Sequence, residues 1–355
     1  MNLGHGSAHH RTAIKTAAVR SVRPGLAGVV LAVALAIVAR MLSWVLPSLI
    51  SEVTIGIILG LIVGNVMPLP ADVYQGAKFA VGTPLRLGIV LMGARLSLGD
   101  VLGTGVGALV LIVGCMLFAL GVVMVCGRVF GVPMRLAVLI AVGTAVCGNS
   151  AIIATAPVIE AEHREVSFAV ATITLFGILA VLLYPLFGHA LGLSDRSFGH
   201  WAGVAVNDTS QVTAAGFAYS PAAGEIATIV KLTRNVLMAP LIIIIGTLYL
   251  HSGRAKGADA VQEASRLRFL HLLPVFVVGF VAMAALNSVG WIPLGLTPVL
   301  SELSKGLILV ALVSVGLSTR MSLLRAIGLR PMYVGFFAAG SLSLFALLLG
   351  SLILG

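Results

Sequence analysis

The chain has 355 residues, of which 59% are hydrophobic and only 10% are charged. Soluble globular proteins carry about 25% charged residues, so the composition excludes an ordinary soluble domain. The net charge of +10 lies in short loops without interleaved aromatic residues, which argues against a nucleic-acid partner. The apolar runs are continuous rather than alternating, so we expect an all-α membrane protein and not a transmembrane β-barrel.

A basic segment precedes the first apolar run. We expect residues 1–24 to be a cytoplasmic tail and residues 25–355 to be a single polytopic transmembrane domain. The first apolar run is longer than the core of a signal peptide, which favours an uncleaved helix. With the N-terminus inside, the basic loops 127–135, 251–268 and 319–330 all fall on the cytoplasmic side. This orientation places the C-terminus on the opposite side.

About eleven transmembrane segments follow in chain order. Their predicted bounds are 25–46, 53–66, 75–96, 101–126, 135–159, 166–191, 199–219, 222–250, 269–289, 298–318 and 331–355. Two of them, 135–159 and 199–219, are interrupted by polar residues. Either both cross the membrane as discontinuous helices, giving eleven spans, or both turn back as re-entrant hairpins, giving nine spans. The shortness of 199–219 favours crossing helices.

Two pairs of stretches predict an internal repeat. Residues 143–165, GTAVCGNSAIIATAPVIEAEHRE, align without gaps with residues 203–225, GVAVNDTSQVTAAGFAYSPAAGE. More weakly, residues 93–102 resemble residues 316–324. In the hairpin arrangement, the first pair would enter the membrane from opposite sides, as the inverted repeats of many secondary transporters do.

Both copies of the first repeat carry polar residues in the middle of an apolar segment. These residues are Cys147, Gly148, Asn149 and Ser150 in one copy and Asn207, Asp208, Thr209, Ser210 and Gln211 in the other. A helix breaks at membrane depth only where protein or a water-filled cavity satisfies its backbone. We therefore predict that the two breaks line a substrate site near the midplane, with the amide and hydroxyl groups as hydrogen-bond partners.

Asp208 is the most informative of these residues. A carboxylate at membrane depth costs at least about 2.5–3.5 kcal/mol on insertion scales, so such residues usually face a cavity and act. We expect Asp208, with Asn207, to bind a coupling ion, either a proton or sodium. The alternative is that Asp208 is solvated at the membrane surface or caps a helix.

Lys231 and Arg234 in EIATIVKLTRNV lie three residues apart on one helix face, near the bilayer midplane. They form either a cationic pocket for an oxyanion or ion pairs with Asp208 or Glu225. Asn235 is a further candidate ligand. Arg86, close to a helix-loosening proline, is a third intramembrane charge.

Chemistry other than binding finds no support in the sequence. No serine has a nearby histidine within the membrane, and no His, Cys or Glu cluster has the spacing of a metal site. We expect no enzyme, no catalytic residues, no metal and no cofactor. The three cysteines lie inside apolar stretches and predict no disulfide framework.

The segments CGNSAIIATAPVI, VNDTSQVTAAG and EIATIVKLTRNVLMAPLI resemble the YeiH-type family, whose name refers to sulfate export. The stretches PGLAGVVLAVALAIVARML, TIGIILGLIVGN and TPLRLGIVLMGARLSLGDVL resemble it too. The resemblance implies a bacterial inner-membrane transporter related to the bile-acid symporter and sodium/proton antiporter fold, with discontinuous helices and inverted repeats.

Within this resemblance, some residues match the family pattern and others depart from it. Cys147, Gly148, Gln211, Lys231 and Arg234 stand where the family's residues are expected. The stretch 207–210 departs from an expected His-Glu followed by apolar residues, and 149–150 departs from two small residues. The departures add hydroxyl and amide groups to the predicted site.

The expected function is secondary active transport, by alternating access, of a small oxyanion such as sulfate or a sulfonate. Lys231 and Arg234 would hold the anion, and Asp208 would carry a proton or a sodium ion. The alternatives are an anion or ion channel and a non-transporting membrane sensor. The expected surroundings are the lipid bilayer, and the sequence leaves a homo-oligomer open.

Overall fold

A computed structural model describes residues 25–45, 51–96, 99, 105–251, 275–293, 295–319 and 329–354, and these residues are predominantly helical. The predicted tail and most of the loops 251–268 and 319–330 lie outside the described residues, so the division into tail and domain stays a prediction. The helices are α1 (Leu26–Val45), α2 (Glu52–Val66), α3 (Ala71–Met92, continued by a 3-10 turn Gly93–Arg95), α4 (Gly105–Val129), α5 (Met134–Ala145), α6 (Asn149–Thr155), α7 (His163–Ala190), α8 (Asp195–Ala205), α9 (Thr209–Tyr219), α10 (Pro221–Val236), α11 (Met238–His251), α12 (Val275–Ser288), α13 (Leu296–Ser318) and α14 (Leu329–Leu354).

Within the part of the chain that the structure describes, seven helical stretches are long and apolar enough to cross a membrane. They are α1, α3, α4, α7, α10 with α11, α13 and α14. Helices α2, α5 and α12 are apolar but shorter. The all-α membrane class predicted from composition is confirmed.

Helices α5 and α6 form a re-entrant hairpin, the first hairpin. Arg135 at the start of α5 pairs with Glu160 just beyond α6, with 3.8 Å between Nη2 and Oε2. A straight helix would separate these residues by about 37 Å. A Cβ at Gly143 of α5 would lie 2.9 Å from Cδ1 of Ile152 in α6, so the two arms pack side by side.

Helices α8 and α9 form the second hairpin. Ser220 Oγ, just after α9, donates to Asp195 Oδ1 in the first turn of α8 at 2.7 Å. Tyr219 stacks on Phe198 with ring centroids 3.9 Å apart. Both ends of 199–219 therefore lie on the same side of the molecule.

These contacts contradict the crossing-helix alternative and fit two hairpins, so the count of eleven spans is not confirmed. The shortness of 199–219 was misleading because a hairpin need only reach the middle of the membrane. Each arm of the second hairpin has 11 residues. Such an arm is about 16 Å long, half of a hydrocarbon core of about 30 Å.

The two hairpins are equivalent in sequence and opposite in direction. The first hairpin has its open end at Arg135 and Glu160, and there Arg135 Nε donates to the hydroxyl of Tyr249 at the end of α11 (3.2 Å). The second hairpin has its open end at Asp195, which the single span α7 separates from Glu160, so the two open ends lie on opposite sides. The breaks fall at 146–148 and 206–208, the positions that the first sequence repeat aligns. The tips meet, because a Cβ at Gly148 would lie 3.4 Å from the backbone of residues 207 and 208. The second, weaker repeat lies partly outside the described residues.

The helices divide into two bundles, which we call the frame (α1, α2, α3, α12 and α13) and the core (α4 to α11 and α14). Backbones touch within the frame: a Cβ at Gly60 would lie 2.2 Å from Val313 O, and one at Gly316 would lie 2.4 Å from Ile57 O. Within the core, α4 packs on α14 through the stacked pair Phe118 and Phe345. Helix α9 of the second hairpin contacts α2 and α13 of the frame.

Candidate functional site

The hairpin tips expose backbone groups where each helix stops. In the first tip, α5 ends at Ala145, and Gly148 adopts φ +65° and ψ −123° before α6 begins. This backbone region is readily open only to glycine. In the second tip, α8 ends at Ala205 and Asp208 precedes α9. The last carbonyls of α5 and α8 therefore lack helical partners and carry the negative ends of the helix dipoles.

Lys231 of α10 joins the two tips. Its ammonium donates to the carbonyls of Val146 (2.6 Å), Val206 (3.3 Å) and Asn207. An ammonium has three N–H donors, so these three carbonyls occupy all of them. The side chain is fully buried.

Arg234, one turn further along α10, also donates to backbone carbonyls of both hairpins. Its Nε donates to Ala145 O at 2.7 Å, and Nη1 donates to Val204 O at 2.8 Å and Val206 O at 3.1 Å. Its Nη2 donates to Thr144 O. Arg234 is 1% exposed. Each of the two cations thus donates to carbonyls of both hairpins.

Both cations thus lie at the breaks, as predicted, but they do not form the alternative ion pairs. Among the described residues, Glu225 pairs instead with Arg95 at 2.8 Å. No donor of Lys231 faces an open space. Their predicted role as direct anion ligands stays a prediction.

Asp208 caps α9. Its Oδ1 accepts hydrogen bonds from Ser210 N (2.9 Å) and Ser210 Oγ (2.7 Å). Its own backbone N–H donates to Gln211 Oε1 at 3.3 Å, which completes a capping box. The capping alternative is therefore confirmed, and the side chain is half-buried rather than sealed.

A cleft of about 640 Å³ lies between the bundles, on the side of the tips that carries Arg135 and Glu160. The frame contributes Tyr74, Lys78, Val81, Val315, Ser318 and Thr319; the core contributes Asn149, Asp208, Ser210 and Gln211 from the tips and Ser167, Phe168, Val170, Ala171, Thr174 and Ile178 from α7. Asn149 Nδ2 and Gln211 Nε2 each lie 3.4 Å from an oxygen of Thr174. Residues from both tips therefore converge on the floor of one cleft.

The opposite half of the interface between frame and core is closed. Leu85 and Ile89 of α3 share an apolar cluster with Ile229 and Leu232 of α10. Beyond this cluster lies the ion pair between Arg95 of the frame and Glu225 of the core. Among the described residues, apolar packing and an ion pair thus occupy the half of the interface opposite the cleft.

The structure separates the predicted site residues into two groups. Asn149, Asp208, Ser210 and Gln211 line the cleft. The others lie outside the cleft lining. Thr209 Oγ1 accepts from Asn235 Nδ2 at 3.2 Å, and Asn207 and Cys147 are buried. Ser150 is exposed away from the cleft, and Arg86 lies over the ring of Phe276 at 5.9 Å.

Sequence reasoning missed Lys78, Tyr74 and Thr174. Lys78 Nζ lies 4.7 Å from the centre of the Tyr74 ring, and Lys78 and Asp208 are the charged side chains of the cleft lining. A lysine two turns inside a helix is readily interpreted as an interfacial anchor. The sequence did carry a signal for Lys78, because its charge lies in the apolar segment KFAVGTPLRL, which also contains Arg86.

These features define a helical membrane protein with two inverted re-entrant hairpins and a one-sided cleft. The chain belongs to the UPF0324 membrane protein family, the YeiH-type family that its motifs resemble. The model of this family, described as Conserved hypothetical protein 698, matches residues 27–335. The inner membrane, the orientation and the relation to bile-acid symporters stay predictions.

Its relatives match over most of their length. The chain is 32% identical to a UPF0324 membrane protein of Clostridium tetani over 87% of this chain and 92% of the relative. It is 33% identical to one of Nitratidesulfovibrio vulgaris over 93% and 94%. It is also 34% identical to the UPF0324 membrane protein TauZ of Paracoccus pantotrophus, over 71% and 74%.

Proposed function

We propose that the protein is a secondary active transporter of a small oxyanion, sulfate or a sulfonate, working by alternating access. The observation that carries the proposal is the one-sided cleft that ends at two oppositely directed hairpin tips. Broken or re-entrant helices at the midplane are the usual place for substrate in secondary transporters. The closed half, with its apolar cluster and ion pair, favours a transporter over a channel, which would need a continuous path.

The floor of the cleft supplies groups suited to an oxyanion. Asn149, Ser210 and Gln211 come from the tips, and Ser318 and Thr319 come from the frame. The Ser318 hydroxyl is buried without a hydrogen-bond partner among the described residues, and it can donate to an anion oxygen. A buried polar group left unpaired is costly, so a bound anion that accepts from it is stabilised.

The cleft also has room for more than an inorganic ion. Its volume of about 640 Å³ falls in the range of about 300–1,000 Å³ that is typical of small-molecule sites. Its walls include Phe168, Ile178 and Val315. These apolar side chains favour a sulfonate with a short organic body over bare sulfate.

Asp208 couples the anion to a cation in this proposal. An ionised carboxylate on the cleft floor repels an anion, and a proton or a sodium ion on Asp208 removes the repulsion. Anion and cation therefore bind better together than alone, which is the coupling free energy that a symporter needs.

Lys231 and Arg234 act as structural supports in this scheme, in place of the anion contacts expected from the sequence. Their donors are occupied by the carbonyls of both tips. They hold the floor of the cleft in place.

Counterflow in proteoliposomes tests the proposal. Labelled sulfate and labelled 2-hydroxyethanesulfonate are supplied outside vesicles that are preloaded with the unlabelled anion, and Lys305→Met serves as the control variant because Lys305 pairs with Glu302 outside the cleft lining. We expect saturable uptake that accelerates with the internal load. Uptake indifferent to the load would indicate a channel, and binding without flux would indicate a sensor.

A further inference from the structure

We propose that Lys78 is the residue that supplies the positive charge for the anion, and that Tyr74 positions it. The inference rests on the proposed function and adds a specific ligand to it. It also assigns the anion to both bundles, because Lys78 belongs to the frame, as do Ser318 and Thr319, whereas the ligands from the tips belong to the core.

Lys78 is the cationic side chain among the described residues that line the cleft. Lys231 and Arg234 are buried and bonded to carbonyls. Arg95 pairs with Glu225, and Lys305 pairs with Glu302. Lys78 lines the cleft, is exposed, and forms no ion pair with a described carboxylate.

The local geometry of α3 holds this ammonium in place. Tyr74 precedes Lys78 by one helical turn, so the two side chains lie on the same face. The ammonium sits 4.7 Å from the Tyr74 ring centre, within the distance at which an aromatic face attracts a cation. Such a contact orients the lysine without neutralising its charge, so the charge stays available to an anion.

A snorkelling role would place the same lysine differently. A lysine that only anchors the helix extends its ammonium away from the protein toward the membrane surface. Here the side chain lines the same cleft as Ser318, whose hydroxyl lacks a partner, and as Asp208 of the opposite bundle. An anion among these groups would meet a cation, a hydroxyl and the hairpin tip together.

The experiment replaces the charge and then restores it chemically. Lys78→Cys is prepared with Cys126→Ser, since Cys115 and Cys147 are buried and Cys126 is partly accessible. Aminoethyl methanethiosulfonate returns an ammonium to position 78, and the sulfonatoethyl reagent adds a negative charge. Equilibrium binding of labelled sulfate and of labelled 2-hydroxyethanesulfonate in nanodiscs is measured beside counterflow, with Lys305→Cys in the same background as the matched control.

We expect Lys78→Cys to weaken anion binding about tenfold, the effect of losing one charge-assisted hydrogen bond. Aminoethylation should recover most of the affinity and sulfonatoethylation none, while Lys305→Cys binds like the parent. If Lys78→Cys binds like Lys305→Cys, or if both reagents act alike, the inference is overturned. Loss of binding in Lys78→Cys without any wild-type counterflow would support Lys78 and overturn transport. Wild-type protein that binds neither anion would overturn both.

Discussion

The two hairpins share a length, a register and a pair of cations, yet their tips are built from different chemistry. The first tip turns through Gly148 at positive φ, without a side-chain cap on α6. The second tip turns through Asp208 in the extended region, with a capping box on α9. The repeat therefore provides two breaks at equivalent positions, and the residue at position 148 or 208 decides which of them carries a carboxylate.

The difference separates two tasks. At the first tip the backbone packs against the second, since a Cβ at position 148 would already be in van der Waals contact with the backbone of Asn207 and Asp208 at 3.4 Å. At the second tip the carboxylate borders the cleft. We therefore propose that the first tip serves to pack against the second, and that the second tip binds the coupling ion through Asp208. The following substitutions test that assignment.

The largest effect is expected where the two tips are most alike, at Lys231. Lys231→Met leaves the carbonyls of Val146, Val206 and Asn207 without their donor. Each buried carbonyl left unpaired costs about 1–3 kcal/mol, so we expect little folded protein, as judged by size-exclusion chromatography and thermal unfolding in detergent. A stable Lys231→Met that has lost only sulfate binding would instead make Lys231 an anion ligand.

Gly148→Ala tests the packing task of the first tip. A Cβ there would meet Ile173 Cγ2 at 3.3 Å, and the strained backbone region adds about 1–3 kcal/mol. We expect a lower thermal unfolding temperature and slower counterflow. Gly143→Ala, on an arm of the same hairpin and with ordinary helical φ, is the control. If both variants lowered the unfolding temperature equally, steric crowding and not the backbone conformation of the tip would be the cause.

Asp208→Asn tests the chemical task of the second tip. The amide oxygen can still accept from Ser210 N, and Asn is as good a cap as Asp, so stability should change by less than about 1 kcal/mol. Anion exchange should continue, but the dependence of uptake on an imposed pH or sodium gradient should vanish. Gradient-driven uptake that persists in this variant would remove Asp208 from coupling.

The smallest effect is expected at the closed half, away from both tips. Arg95 and Glu225 are 35% and 17% exposed, and such pairs contribute up to about 1 kcal/mol. Reversing either charge should therefore shift the conformational equilibrium toward the state in which this half is open and the cleft is closed, by at most about fivefold. The measurement is the rate at which a thiol reagent labels Ser318→Cys, which should fall in each single reversal. The double reversal Arg95→Glu with Glu225→Arg should restore the parental rate. A double variant that stays slow would show that this ion pair does not stabilise the closed half.

Much of this arrangement was accessible from the sequence. Composition predicted the class, and the gapless repeat placed both breaks at equivalent positions, because a helix interrupted at membrane depth needs polar or small residues there. The pairing of the arms was not accessible, since the ion pair of Arg135 with Glu160 depends on where the chain turns. Lys78 was missed because its neighbours in the cleft, Asp208 and Ser318, are distant in sequence.

The cations bonded to both tips have a mechanical consequence. Lys231 and Arg234 each bridge carbonyls of the first and second hairpins, and each charged hydrogen bond is worth about 1.5–3 kcal/mol. Lifting either hairpin alone, as a flap, would break several of these bonds together. The two hairpins should therefore move as one rigid unit. In the proposed transport cycle, an anion on the floor of the cleft would move with that unit relative to the frame.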